Sequence, residues 1–448
     1  VTRVLFVAPS AYLVGGMQTW LHWVDEALAR RGFETVVGLA AGPVHHRPEA
    51  YLRAHAHRRW VEIPTRTCTV AGRRAAVAKA VRAVGPDLVA SVNVADVVPA
   101  VATLRASRPR VVVTLHGTGA DTLGDVRAFA GGIDAVVATN RLGAALAVRV
   151  GGLPEERVFR APPGIRVGPA PPPRAADPDG ALRVAWVGRV QQEFKRVLDV
   201  PHVARHLRDR GVRFRLDVLG SGADEARLRA LVHETSTGAS VRLLGARAPE
   251  EVRRALLEAD VLLCTSDAET GPIVAWEALA AGAAVVTSRY AGLAAEGALR
   301  DGENALVYPV GDAASAAAAL ASLAASPALR ERLAREGRRL VESEFASDVA
   351  ADAWSRALAA TLDLPPRPAA SFPAPPRAGR LDAVLGARVA DALRARTRRA
   401  FVSEEPGGEW PHAYSSPVPS QEFREAVAAL DVPAPAPRAR RGPGAALA

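Results

Sequence analysis

Residues 261–286 read Val261-Leu262-Leu263-Cys264, then Thr265-Ser266-Asp267-Ala268-Glu269-Thr270-Gly271-Pro272, then Ile273-Val274-Ala275-Trp276-Glu277-Ala278-Leu279-Ala280, then Ala281-Gly282-Ala283-Ala284-Val285-Val286. Two short, continuous apolar runs enclose a polar loop and an Ala-rich segment, the pattern of a buried strand, a helix and a second buried strand. Pro272 fits the first turn of that helix, where its missing N–H would be unpaired anyway, so Glu269 falls in the loop and Glu277 on the helix. One acid stands before a helix terminus and the other behind it. The N–H groups of Gly271, Ile273 and Val274 could receive phosphate oxygens there, and the two carboxylates could accept hydrogen bonds from sugar hydroxyls.

The same alternation runs outward in both directions. Upstream, strands are expected at Val4 to Val7, Thr35 to Leu39, Val61 to Ile63, Leu88 to Val92, Val111 to Leu115, Val136 to Ala138 and Val158 to Arg160. A stretch from Ala161 to Asp179 with seven prolines interrupts them, and the pattern restarts at Val184 to Val187, Phe214 to Leu219, Val241 to Leu244, Val261 to Cys264, Ala284 to Thr287 and Leu306 to Tyr308. Strands alternating with helices predict parallel sheets covered on both faces. We therefore expect an α/β chain of two doubly wound, Rossmann-like domains facing a cleft: residues 1–165, a Pro-rich linker at 166–181, and residues 182–347. A helix at 348–364 is expected to pack back across the domains.

Residues 365–448 differ in character, with 14 of the 34 prolines and 12 arginines against 8 acidic residues. This Pro/Arg-rich extension is expected to be largely disordered, with one basic amphipathic helix near 381–399. There Leu381, Val384, Leu385, Val389 and Leu393 recur at helical spacing among Arg380, Arg388, Arg394, Arg396, Arg398 and Arg399. That pattern leaves two readings open, a helix docked on its own domain and a helix meeting a membrane surface or a partner.

Composition narrows the function classes. The formal charge of +10 would suit nucleic acid, but 55 of 57 basic residues are arginine beside abundant Ala, Gly and Pro, a bias that explains most of the charge without a nucleic-acid partner. In such a chain a lysine that survives draws attention, and Lys195 is one of two. Cys68 and Cys264 are too few for a disulfide framework and lack metal-ligand spacing. The start, Val1 to Pro9, reads as a buried strand without leader features, and no apolar run approaches a membrane span, so a cytoplasmic protein is expected, with a peripheral place at the inner membrane face open through the basic tail.

Three further segments carry chemistry. Gly15-Gly16 lies between the first strand and the first helix, where missing side chains let amides approach a phosphate. It lacks the dinucleotide-binding spacing, because Met17-Gln18-Thr19-Trp20 follows directly. Gly188-Arg189 ends the first strand of the second half, and Lys195 follows six residues later; two cations on one strand-to-helix connection make a sensible diphosphate clamp. Asp177-Pro178-Asp179 imitates a metal-binding acid pair but falls in the Pro-rich linker, and no metal or other cofactor is expected.

On these landmarks residues 3 to 362 resemble the retaining GT-B glycosyltransferases, in particular glycosyltransferase family 4, whose Glu-x7-Glu motif stands here as Glu269 to Glu277. The resemblance implies that Gly15 and Gly16 approach the donor's distal phosphate and that Arg189 and Lys195, beside Gly188, bind its diphosphate. It further implies that Glu269 contacts donor-sugar hydroxyls, Glu277 the ribose, and that His116 in Thr114-Leu115-His116-Gly117 is the active-site histidine near the donor sugar. The expected substrates are a nucleoside-diphosphate sugar and a glycan, lipid-linked or small-molecule acceptor. Two departures bear on donor identity: Pro272 stands where many members have glycine, and Pro163-Gly164 replaces a common Asn-Gly. The alternatives are a non-catalytic nucleotide-sugar binder or scaffold, and an epimerase or phosphorylase of like architecture.

Overall fold

The computed structural model describes all residues except 14, 105–107, 172–173, 175–176, 270, 369, 371, 373–376, 398–399, 402–405, 414–416 and 433–448. The first half forms a seven-stranded sheet from β1 (Arg3–Pro9), β2 (Glu34–Ala41), β3 (Trp60–Pro64), β4 (Leu88–Val92), β5 (Arg110–Leu115), β6 (Ala135–Ala138) and β7 (Val158–Arg160). The second contains β8 (Leu182–Val187), β9 (Phe214–Leu219), β10 (Val241–Gly245), β11 (Val261–Cys264), β12 (Ala284–Ser288) and β13 (Leu306–Tyr308). Every pairing in both sheets is parallel. The orders are β3-β2-β1-β4-β5-β6-β7 and β10-β9-β8-β11-β12-β13, so strand order reverses between β1 and β4 and again between β8 and β11. In doubly wound sheets the crevice for ligands opens at such reversals, beyond the C-terminal ends of the strands. Gly15-Gly16 follows β1, Gly188 to Lys195 follows β8 and Glu269 follows β11, so each sits at a reversal.

Strands buried on both faces must be apolar throughout, as Val4 to Ala8 and Val261 to Cys264 are. Past β13 the helices Ala313–Ala325 and Pro327–Leu340 cover the second sheet, a π-helical turn Val341–Phe345 follows, and helix Ser347–Asp363 returns to the first domain. Ile165 donates to the Phe345 carbonyl at 2.7 Å and Ser347 to the Ile165 carbonyl at 2.9 Å, so the outgoing and returning chains cross as a paired hinge. Trp354 on the returning helix is buried in the first domain's core beside Trp20, its indole N–H donating to the Pro162 carbonyl at 3.0 Å.

The extension departs from expectation. The basic segment near 381–399 is two helices, Arg380–Leu385 and Ala387–Arg396, broken at Gly386, whose φ of 75° suits glycine. Arg394 turns inward onto buried Asp382 at 2.6 Å, while Arg398 and Arg399 lie outside the described residues. Farther on, Trp410 and Val418 join the first domain's core, and helix Ser420–Leu430 packs on helix Arg141–Arg149. The described part of the extension is therefore folded onto the first domain.

Its anchor is Glu409, fully buried, whose carboxylate accepts from the backbone N–H groups of Val44, His45 and His46 at 2.7, 2.9 and 3.0 Å and pairs with the His46 ring at 3.0 Å. Burial pushes this carboxyl up, but the His46 ring and the three amides outweigh it and hold the group below the usual range. Asp431 reaches the second domain, accepting from the Gly292 and Ala295 amides at 2.9 Å each. Among the described residues no helix is long and apolar enough to cross a membrane. Replacing Glu409 by Ala would strand three amide donors and a histidine, and we expect a loss of about 3 kcal/mol, typical for breaking a buried pair. Urea unfolding, with limited proteolysis showing earlier cleavage in 377–432, checks this.

Candidate functional site

The loop after β8 is built by backbone constraints. Gly188 donates to the Leu219 carbonyl at 3.0 Å and Val190 to the Ser221 carbonyl at 2.9 Å. Gly220 and Gly222 are needed opposite: a β-carbon at either would overlap the carbonyl oxygen of Gly188 or Val190. Sequence reading missed this pair of glycines, whose signal was the Gly220-Ser221-Gly222 spacing at the end of the neighbouring strand. Beyond, Phe194 and Arg196 both have left-handed φ values, 64° and 48°, so the chain bends on either side of Lys195. The bend is pinned: Thr265 donates to the Lys195 carbonyl at 2.6 Å, the Trp186 indole donates to Thr265 at 2.9 Å, and the Asp267 amide donates to the Phe194 carbonyl at 3.0 Å.

Lys195 Nζ thereby meets Glu269 Oε1 at 2.6 Å, joining two residues 74 positions apart. The same oxygen accepts from Ser266 Oγ at 2.5 Å. Side-chain exposure is 29% for the lysine and 12% for the glutamate, so the pair is partly shielded from water. The Glu269 backbone is held by Ala291 and Gly292 from the segment after β12: Ala291 donates to the Asp267 carbonyl at 2.8 Å, and a β-carbon at Gly292 would lie 3.0 Å from the Glu269 carbonyl.

Gly271, with φ 96°, turns the chain into helix Ile273–Ala280, with Pro272 at its cap. The first-turn amides of Ile273 and Val274 have no carbonyl partner inside the helix. Facing them is the N-terminus of helix Gly16–Ala29: a β-carbon at Gly16 would come within 2.9 Å of Ile273 Cδ1. Two helix termini from two domains thus meet, and Gly16 is the residue that lets them do so. The domains are further tied by Glu296, absent from the sequence reading, which accepts from the Arg141 amide at 2.6 Å and pairs with Arg160 at 2.5 Å.

His116 follows β5, its Nε2 3.1 Å from Thr114 Oγ1 and its ring edge-on to Trp20 with centroids 4.2 Å apart. Burial pushes its imidazole down to about 3, which keeps the ring neutral at ordinary pH. Arg189 is exposed at the end of β8, and among the described residues neither it nor Glu277 forms a side-chain hydrogen bond or ion pair. Glu277 is open to solvent on one side, but crowding on the others pushes its carboxyl up to about 7. Among the described residues no group of three or more His, Cys, Asp or Glu side chains is placed to hold a metal; Asp177 accepts from the Asp179 amide at 3.0 Å in a local turn.

Two parallel-sheet domains, with a glycine loop at the first strand-order reversal and the Lys195–Glu269 pair at the second, form a GT-B architecture. The sequence pattern described as Glycosyltransferase Family 4 matches residues 14–168, and that of Glycosyl transferases group 1 matches residues 173–340. This chain belongs to glycosyltransferase family 4. It is 32% identical over 142 residues to a lipopolysaccharide core biosynthesis glycosyltransferase of Rhizobium meliloti, covering 32% of this chain and 41% of that one. It is 31% identical over 176 residues to an amylovoran biosynthesis glycosyltransferase of Erwinia amylovora, covering 38% and 42%. The chain thus spans about two fifths of the length of the curated relatives it matches. Among solved structures, Anabaena HepE with UDP and glucose superposes with a TM-score of 0.64 at 17% identity, over 80% of this chain and 100% of that one. Sucrose-phosphate synthase of Thermosynechococcus elongatus gives 0.65 at 20%, over 80% and 98%.

A carboxyl raised in the folded state binds protons that the unfolded chain has already lost. The contribution of Glu277 to stability is therefore fully present below about pH 4.5, its ordinary value, and is lost as pH rises towards 7. Glu277→Gln should remove that dependence, so the variant gains on the wild type between pH 5 and pH 8. Urea unfolding of both at the two pH values measures it; an unchanged difference would show that Glu277 titrates normally.

Proposed function

We propose that this chain is a retaining, metal-independent glycosyltransferase that moves a sugar from a nucleoside-diphosphate donor to an acceptor hydroxyl, in glycan or glycolipid synthesis. The observation that carries the reading is the Lys195–Glu269 pair at 2.6 Å, set at the second sheet's reversal beside the first turn of helix Ile273–Ala280. The lipopolysaccharide and amylovoran roles in the relatives' names, and the UDP and glucose held by HepE, support the substrate classes.

In this reading the anomeric carbon–oxygen bond to the diphosphate breaks, a bond to the acceptor oxygen forms on the same face, and the acceptor's proton passes to the departing phosphate oxygen. Negative charge grows on the diphosphate, and Arg189, Lys195 and the Ile273 and Val274 amides are placed to stabilise it; one such preorganised donor is worth about 3 to 4 kcal/mol. They supply positive charge that a divalent ion would otherwise bring. Lys195 would exchange its Glu269 contact for phosphate, freeing Glu269 to accept from sugar hydroxyls. Glu277, as a carboxylate, would accept from both ribose hydroxyls. His116, neutral and a weak base, would orient the sugar by hydrogen bonding rather than remove a proton.

Thermal-shift measurements with UDP, GDP, ADP, CDP and TDP should pick out one nucleotide, because a ligand of the native state raises apparent stability. Lys195→Ala should lose that shift and lower turnover of the matching sugar nucleotide by about a hundredfold or more. Glu269→Ala should impair transfer more than nucleotide binding. Full turnover in both variants would overturn the site, and a nucleotide shift without turnover on any acceptor would favour the scaffold reading.

A further inference from the structure

The extension's helix pair, Arg380–Leu385 and Ala387–Arg396, carries large apolar side chains that no described residue covers. Leu381, Val384 and Leu385 on the first helix and Val389 and Leu393 on the second are all exposed, Val384 at 81%. Scattered exposed apolar residues are ordinary, whereas five large ones within 13 consecutive residues are a concentration that marks a contact surface. The opposite face supplies the anchoring: Ala390 is buried against helix Val70–Val84, and Asp391 accepts from Thr67 Oγ1 at 2.5 Å and from Thr69 Oγ1. The exposed apolar residues are therefore surplus to folding.

Charge is sorted in the same direction. Both acids of the pair point inward, Asp382 to Arg394 and Asp391 to the two threonines. Arg377, Arg380, Arg388 and Arg396 are exposed on the same two helices or just before them, interleaved in sequence with the apolar residues. Exposed apolar residues interleaved with arginines, with no outward acid, complement a surface that is negative at its rim and apolar within, which describes an anionic lipid bilayer. A second copy of this chain fits poorly, because a two-fold contact would set these arginines against their twins.

We propose that this helix pair is a membrane-docking surface, which seats the first domain, through helix Val70–Val84 beneath it, on an anionic lipid surface. The inference does not depend on the donor site, and it would bring the acceptor-side domain to the plane where a lipid-linked acceptor resides. The full chain should cosediment with vesicles of phosphatidylglycerol and phosphatidylcholine, and bind pure phosphatidylcholine vesicles at least tenfold less. Val384→Asp with Val389→Asp should abolish cosedimentation, and Arg380→Gln, Arg388→Gln and Arg396→Gln together should weaken it about a hundredfold, at roughly fivefold per arginine near the surface. Both variants should keep the wild-type melting temperature and nucleotide shift, which separates loss of docking from loss of fold. Equal vesicle binding by wild type and the Val384/Val389 variant would overturn the proposal. So would wild-type indifference to the vesicles, or a concentration-dependent dimer abolished by the same two substitutions.

Discussion

Trp354 pressed against Trp20, ring centroids 4.8 Å apart, is the contact on which the rest of the cleft depends. Trp354 comes from the chain that has just completed the second domain, and Trp20 from the first helix after Gly16. Burying a large indole from one half inside the core of the other couples the halves, since separating them would return that apolar area to water. Trp20 also touches His116, so the packing that joins the domains fixes that ring. The neutrality of His116 follows from the same crowding.

From this hinge the remaining cross-domain contacts take their meaning. Glu296 reaches back to Arg141 and Arg160, and Asp431 of the extension reaches forward to Gly292 and Ala295, two residues past the strand bridge that supports Glu269. The loop bearing Glu269 is thus braced from its own domain by Ala291 and from the other by the end of the extension. Structural neighbours superpose on 80% of this chain while nearly all of their own length is used. About a fifth of the chain therefore has no counterpart in them, a share close to that of the 84 residues after Leu364.

Both sheets were legible in the sequence because central strands such as Val4 to Ala8 and Val261 to Cys264 are buried on both faces and read as apolar runs, while outer strands such as Phe214–Leu219 alternate, and each of the thirteen expected segments became a strand. The Glu269 loop was legible for the same reason, being fenced between two such runs. The extension was not. Its composition argued for disorder, yet Glu409 and Trp410 each satisfy distant backbone groups, at Val44 to His46 and at Ala41, and pairings more than 350 residues apart leave no local pattern. The break at Gly386 was readable, since glycine inside a helical stripe marks a stop, but the regular stripe on either side masked it. Gly220 and Gly222 were hidden differently: their purpose is the close approach of another strand's carbonyls, and one strand's sequence does not carry its neighbour's register.

The survival of lysine at position 195 now has a physical account. Lys195 approaches a single oxygen, Glu269 Oε1, which it shares with Ser266 Oγ, from a backbone bent by left-handed residues on both sides. An ammonium suits such a point contact, because its three donors rotate freely about one atom. A guanidinium is a planar fork that seeks two acceptor oxygens side by side, and Ser266 already shares the oxygen that Lys195 approaches. Elsewhere in the chain arginine does adopt the fork, as Arg183 does on Asp260 and Arg242 on Asp217, each with two nitrogens on two oxygens. At Asp260 and Asp217 both carboxylate oxygens are open to the fork and arginine takes them; at Glu269 one oxygen serves both Lys195 and Ser266, and the point charge of lysine fits that contact.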